Sequence, residues 1–456
     1  MKAALVIAAA ALALASPSLL PPTWAAAASL RREGPTPDLR AGADSGAYSN
    51  HYDLDVVLDP ATGALAVTGT FAIVADTART AVRLLLNGAL TVQAIDGPNV
   101  AGVTVTRGTH VGSLPLPTTQ RVDVRLARPL ARGDTTTLRL AYAGRLDTTA
   151  AFEWGRGLVS PRWTELSVGA LWYPVLLDEP EVTARLRLTV PAEYRVVAPG
   201  RVRQLAAGRW ELAAPRAERQ RVTFAASRAW HVTSRALTPG RRVTVYAARP
   251  DARVERVLAA AGAAYTAMAR WYGPPAGADT ELAILLPNDS LGLHYPTEAY
   301  ATGGTLIALS TQPDETVWLD TFHHELCHLW WTGGRPGTAD EFLSESLAEY
   351  HALRLGGAAF GEAWLERQRA KLARGSAGIP GSLRTVQGAY PAELSTLLYE
   401  RGPTVLWALH DRLGEAAMTA LLRATRERRI DTLAGFLAVL AAREGDAVRR
   451  WFEAQI

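Results

Sequence analysis

The chain has 456 residues, 48% of them hydrophobic, which is enough for two or three packed domains and excludes a disordered polymer. Its net charge of +4 rests almost wholly on arginines scattered among acidic residues, which argues against the basic stripe of a nucleic-acid binder. Cys327 is the sole cysteine, so no internal disulfide can staple the fold and stability must come from packing.

In chain order, Lys2, the apolar run Ala3 to Ala15 and the small-residue cleavage sites offered by Trp24 to Ala28 read as a signal peptide over residues 1–28. The expected location is therefore outside the cytoplasm, periplasmic or extracellular. That run is too short to cross a bilayer comfortably and no other segment is apolar enough, so no transmembrane span is expected. No cysteine follows the signal to carry a lipid anchor. Residues 29–46 are rich in Gly, Pro, Asp and Ser and read as a flexible lead-in.

Residues 47–237 show short alternating runs broken by turn residues. Tyr52 to Asp59, Val82 to Leu86, Thr137 to Tyr142 and Ala184 to Val190 are good strands. Many strands without long helical periodicity predict a β-sandwich or saddle-like domain. The pattern changes near Thr238-Pro239-Gly240. Strands over Val243 to Ala247 and Glu281 to Leu286 are followed by predicted helices at Arg253 to Trp271, Glu315 to Trp331, Asp340 to Leu355 and Pro403 to Ala454. Gly273, Gly333 and Gly356 stand where helix stops are expected. Residues 238–456 thus form a second, mainly helical domain, and the whole is multidomain, β plus α+β.

His324-Glu325-Leu326-Cys327-His328 carries the chemistry. Histidines four residues apart lie one above the other on a helix, so both imidazoles reach one metal ion, and Glu325 is poised near a metal-bound water. Leu319, Phe322, Leu326, Leu329 and Trp330 give that helix an apolar face. Cys327 lies to one side of the histidine pair and reads as a small core residue. Catalytic zinc usually takes three protein ligands, and the stretch Asp340 to Tyr350 offers Glu341, Glu345 and Glu349. Glu345 is closest to the buried side marked by Phe342, Leu343, Leu347 and Tyr350, but spacing alone does not choose between Glu345 and Glu349.

With these residues in place, the chain resembles the aminopeptidase N family of gluzincin metallopeptidases. His324-Glu-Leu-Cys-His-Leu-Trp-Trp-Thr-Gly333 is similar to His-Glu-x-x-His-x-Trp-x-Gly, and Phe342-Leu-Ser-Glu-Ser-Leu-Ala-Glu-Tyr350 to Trp-Leu-Asn-Glu-Gly-x-Ala-x-Tyr. Leu398-Tyr-Glu-Arg-Gly402 looks like Tyr-Glu-Lys-Gly, and Trp172 to Pro180 like the family's aromatic-Pro…Asp-Glu-Pro stretch. The resemblance implies a thermolysin-like catalytic domain and one Zn²⁺ per chain held by His324, His328 and Glu345. It further implies Glu325 as general base and Tyr399 as transition-state stabiliser. Glu298 and Glu165 fall where the family recognises the free amine of a peptide substrate.

There are departures. The spacing from His328 to Glu345 is two residues shorter than the family's, a deletion that falls in the Gly/Pro loop after Gly333. Of the family's Gly-x-Met-Glu-Asn only Glu298 remains, within Leu293 to Tyr300. The chain ends where the family's large helical C-terminal domain would begin, so a short form with a more open cleft is expected. The expected activity is a secreted zinc aminopeptidase acting on peptides with a free N-terminus. An open-cleft zinc metalloendopeptidase is the alternative, and an inactive binding protein is disfavoured because ligands, base and tyrosine are all present.

Overall fold

The computed structural model describes residues 50–111, 114–146, 158–176, 182–214, 222–275, 281–287, 300–301, 305–309, 314–334, 337–377, 381–384 and 392–456. The expected signal and lead-in, Glu298, and Asp178-Glu179-Pro180 lie outside the described residues. Among the described residues the strands form four sheets.

A seven-stranded sheet is built around Asn50–Asp59, which pairs antiparallel with Ala64–Val74 and parallel with Val182–Thr189. Along Asn50–Asp59 the even positions Tyr52, Leu54, Val56 and Leu58 point inward. Outward, Asp53 and Asp55 pair with Arg187 of the neighbouring strand. The inward face shares one hydrophobic core with a four-stranded sheet that includes Arg79–Asn87 and Leu114–Leu130. The aromatic-Pro motif sits in this core: Tyr173 packs edge-on against Tyr52, whose hydroxyl donates to the Pro174 carbonyl at 2.6 Å. A third sheet contains Thr164–Leu166 between Leu158–Val159 and Phe224–Ser227.

The fourth sheet runs in the order His231–Thr238, Arg241–Ala247, Glu281–Leu286, Leu306–Ala308 and Tyr300–Ala301. Its first strand passes through the expected division at residue 237. The inner strands Arg241–Ala247, Glu281–Leu286 and Leu306–Ala308 are parallel, so they should be covered on both faces. They are. Leu282, Ile284 and Leu286 pack into the helical core, while Ala283 and Leu285 face Leu158, Trp163 and Ala225 of the third sheet. This double burial explains the nearly unbroken apolar run of Glu281–Leu286.

Helix α1 (Arg253–Tyr272) packs on that sheet and is followed by α2 (Glu315–Cys327), α3 (Glu345–Phe360), α4 (Glu362–Ser376), α5 (Ala392–Thr396), α6 (Gly402–Leu413), α7 (Glu415–Glu427), α8 (Leu433–Glu444) and α9 (Asp446–Glu453). An N-terminal β-rich region of several sheets followed by a helical region matches the expected fold class. Arg423 and Arg426 of α7 donate to the carbonyls of Trp271 and Tyr272, closing the carboxyl end of α1 with positive charge. Among the described residues, no helix is long and apolar enough to cross a membrane.

Three boundaries differ from expectation. Helix α2 ends at Cys327, not Trp331, and the next residues form a tight turn. That turn sends Trp330 to the Gly273 carbonyl and Trp331 onto the ring of His351, two separate destinations that one continuous helix face would not reach. Residues Ala339–Leu343 form a 3₁₀ turn, and α3 starts only at Glu345. Gly356 does not stop α3, which runs on to Phe360 and Gly361. Its missing side chain instead admits the ring of Trp364: a Cβ there would meet Trp364 Cη2 at 2.3 Å.

The far side of α3 is held by a buried polar cluster. The Nδ1–H of His351 donates to the Leu347 carbonyl at 2.5 Å, so Nε2 accepts from the Tyr272 hydroxyl at 2.8 Å, and Arg354 donates to the same hydroxyl at 3.1 Å. Complete burial, reinforced by the charge of Arg354, holds the His351 pKa well below its ordinary 6.5. The unfolded chain therefore takes up a proton that the fold refuses. Stability from neutral His351 is complete above about pH 6.5 and is lost as pH falls below it. The denaturant midpoint should drop between about pH 7 and pH 5, and drop less in His351→Phe. An equal drop in both proteins would show that His351 is not responsible.

Candidate metal centre

The site is built where α2 meets the start of α3. Asp314 caps α2, its carboxylate accepting from the Thr316 amide at 2.9 Å. Trp318, Leu319, Phe322 and Leu326 bury one side of the helix. His324 and His328 consequently face α3 together, their ring centroids 5.0 Å apart.

Each imidazole is held by the nitrogen it does not offer to the centre. His324 Nδ1 lies 2.9 Å from Glu349 Oε2, and His328 Nδ1 lies 3.1 Å from the Trp331 carbonyl. The Trp331 carbonyl reaches His328 because the chain leaves the helix after Cys327. Both Nε2 atoms then converge on Glu345 Oε2, at 3.3 Å from His324 and 3.7 Å from His328. One ligand atom from each of His324, His328 and Glu345 lies within 4.8 Å of the other two. This nitrogen-nitrogen-oxygen set fits a divalent metal of intermediate softness, with outer acceptors fixing both rings as metal-ligating histidines require.

The geometry separates two glutamates that spacing left open. Glu345 stands on the Nε2 side shared by both histidines, whereas Glu349 stands behind His324 on its Nδ1. Glu341 is turned away, accepting from the Gly337 amide at 2.8 Å. Burial pushes the Glu345 pKa up, but His328, His324 and Tyr399 overcome it and hold the carboxyl at about 2. Glu345 is thus an anion, as a ligand must be. Cys327 is wholly buried, and burial raises its thiol well above the ordinary 9.0, so it is an inert core residue outside the ligand set.

Tyr399 comes from the π-helical turn Leu397–Arg401, immediately before α6. Its hydroxyl donates to Glu345 Oε2 at 2.7 Å and its ring stacks on His324 at 5.7 Å. The residue remains 39% exposed and open to a ligand. Partial burial and the charges of Glu345, Glu325 and Glu341 push its phenol well above the ordinary 10, so it stays protonated as a donor. Glu325 is half-buried beside the first histidine.

Glu165 is placed elsewhere, fully buried in the third sheet, where the Trp163 indole donates to Oε2 at 3.2 Å. Trp163 packs into the seam against the fourth sheet, whose edge strand Tyr300–Ala301 follows Glu298 in sequence. Sequence reasoning missed Glu349 as the partner of a ligand. It also missed Asp320, whose carboxyl is pushed up to about 7 by burial and by Glu349. A signal existed: Asp320 lies one turn before His324 on the same side of α2.

Compared by sequence, the chain matches no described protein family and no curated protein. Its structure is similar to the crystal structure of an M1 zinc metallopeptidase from Deinococcus radiodurans, with a TM-score of 0.61 and 22% identity over 89% of this chain and 92% of that one. The chain shares that fold. An M1 zinc metallopeptidase variant from D. radiodurans bound to a Tyr-Ser-Ala substrate aligns with a TM-score of 0.61 and 21% identity, over 89% of this chain and 93% of that one. A two-domain M1 zinc metallopeptidase variant bound to L-tryptophan aligns with a TM-score of 0.60 and 21% identity, again over 89% and 93%.

The two glutamates should separate on mutation. Glu345→Ala is expected to abolish metal binding, whereas Glu349→Ala keeps one metal per chain at an affinity about 10- to 100-fold weaker. Titration with a competing chelator measures both. Metal lost from Glu349→Ala but retained by Glu345→Ala would reverse the assignment.

Proposed function

We propose that this chain is an exported zinc aminopeptidase of the M1 type, a gluzincin that removes N-terminal residues from peptides. The observation that carries the reading is the orientation of His324 and His328, both Nε2 atoms aimed at Glu345 with both Nδ1 atoms already engaged. The protonated Tyr399 beside them completes a hydrolytic set. Export rests on the character of residues 1–28.

His324, His328 and Glu345 would hold zinc, whose Lewis acidity would polarise a carbonyl and lower the pKa of water toward neutrality. Glu325 takes the proton of the attacking water and later delivers it to the leaving amine. Tyr399 donates its hydroxyl hydrogen to the oxygen on which negative charge develops. Glu349 and the Trp331 carbonyl keep the two imidazoles aimed throughout. The resemblance assigns the substrate's α-ammonium to Glu298 and Glu165, which would demand a free N-terminus; Glu165 is fully buried in this structure and must become accessible to take that role. The tripeptide and the free amino acid bound by the D. radiodurans enzyme and its two-domain counterpart support an exopeptidase reading.

Glu325→Gln should retain its metal and lower kcat at least about a hundredfold, as loss of a general base does. Turnover close to the parent's would remove the mechanism. N-acetylation tests the exopeptidase reading separately. It deletes a charge whose two carboxylate bonds are worth about 1.5–3 kcal/mol each when shielded, so cleavage should fall by orders of magnitude. Internal cleavage of free and acetylated peptides at similar rates, read by mass, would mark an open-cleft endopeptidase.

A further inference from the structure

The π-helical turn that carries Tyr399 leaves one buried carbonyl without a backbone donor. In this turn the Gly402 amide goes to the Leu397 carbonyl, five residues back. The next donor in that register would be residue 403, which is Pro403 and has no N–H. The Leu398 carbonyl is therefore orphaned by the sequence itself, in a residue only 1% exposed. Its partner comes from another helix. Ser346, wholly buried and next in sequence to Glu345, donates its hydroxyl to the Leu398 carbonyl at 2.7 Å.

The packing around this bond is tight. A Cβ on Gly402 would fall 2.0 Å from Ser346 Oγ, so only glycine lets the turn approach α3 this closely. One side of the bond is adjacent to Glu345 and the other to Tyr399. The two are themselves joined by the 2.7 Å Tyr399–Glu345 bond. The motif that this chain resembles carries glycine where Ser346 stands, so the hydroxyl is a feature of this chain's own sequence.

We propose that Ser346 is a positioning residue that fastens the Tyr399-bearing turn to the metal-binding helix and so sets where the phenol hydroxyl sits. Without the hydroxyl the Leu398 carbonyl is buried and unpaired, and the turn relaxes toward another donor or toward water. Tyr399 moves with it. The metal ligands stay, because His324 is held by Glu349, His328 by the Trp331 carbonyl and Glu345 by the Ser344 hydroxyl, none of which involves Ser346. Ser346 thus acts on turnover through Tyr399 and leaves substrate binding and metal content alone.

The inference rests on Tyr399 acting on the substrate, which Tyr399→Phe tests by itself: kcat falls while zinc is retained. A Tyr399→Phe enzyme as fast as the parent overturns both readings. Given that loss, a double-mutant cycle tests Ser346. Ser346→Ala should lower kcat about 5- to 50-fold, with KM within about twofold and one zinc still bound. In the Tyr399→Phe background the same substitution should change kcat less than about twofold. If Ser346→Ala folds poorly by thermal melting, Ser346→Gly carries the same cycle, since it also removes the hydroxyl and adds no bulk. Equal fold-losses in both backgrounds, or a Ser346→Ala kcat equal to the parent's, would overturn the proposal.

Discussion

The site depends on one constraint: two imidazoles four residues apart are gripped by their Nδ1 atoms so that both Nε2 atoms face the same carboxylate. The grip on His324 is a side chain, Glu349, from the facing helix, and the grip on His328 is a main-chain carbonyl, that of Trp331. Neither ring can rotate without losing its partner. Fixing the rings before a ligand arrives removes an entropic cost from binding. It also ties the site to the fold, since α2 must stop at Cys327 for the Trp331 carbonyl to turn back.

The packing serves that constraint from both sides. Trp331 is pinned by stacking on His351, which the Tyr272–Arg354 cluster fixes on α3. Arg354 in turn pairs with Glu415 at the start of α7, so the helices beyond the site are tied to it through charged groups. On the other face, the parallel strands of the fourth sheet are covered by the third sheet, with Trp163 buried in the seam. Glu165 accepts from that same tryptophan, which places a buried carboxylate next to the seam between the third and fourth sheets.

Much of this was legible in the sequence because the information is local. A histidine pair at helical spacing needs only the helix, and alternating runs such as Tyr52 to Leu58 need only the pleat. What local pattern could not decide was which glutamate completes the set. Glu345 and Glu349 are one turn apart on one helix, and only the partner helix distinguishes the Nε2 side from the Nδ1 side. Gly356 reads as a stop in isolation, yet its lack of a side chain serves the packing of Trp364. Helix α2 reads as continuing through Trp331, yet the two indoles have separate destinations. Ser346 shows in the sequence only as a departure from the glycine of the resembled motif, and nothing local says what its hydroxyl does. Its role depends on a proline far along the chain that orphans a carbonyl in another helix.

The central claim is that His324, His328 and Glu345 form one mixed nitrogen and oxygen metal centre, with Cys327 outside it. X-ray absorption at the zinc edge on the purified, zinc-loaded protein addresses it directly. The account predicts a single zinc environment of nitrogen and oxygen donors at about 2.0–2.1 Å, with the multiple-scattering pattern of two imidazoles. A sulfur shell at about 2.3 Å, or a spectrum requiring no imidazole, would contradict it.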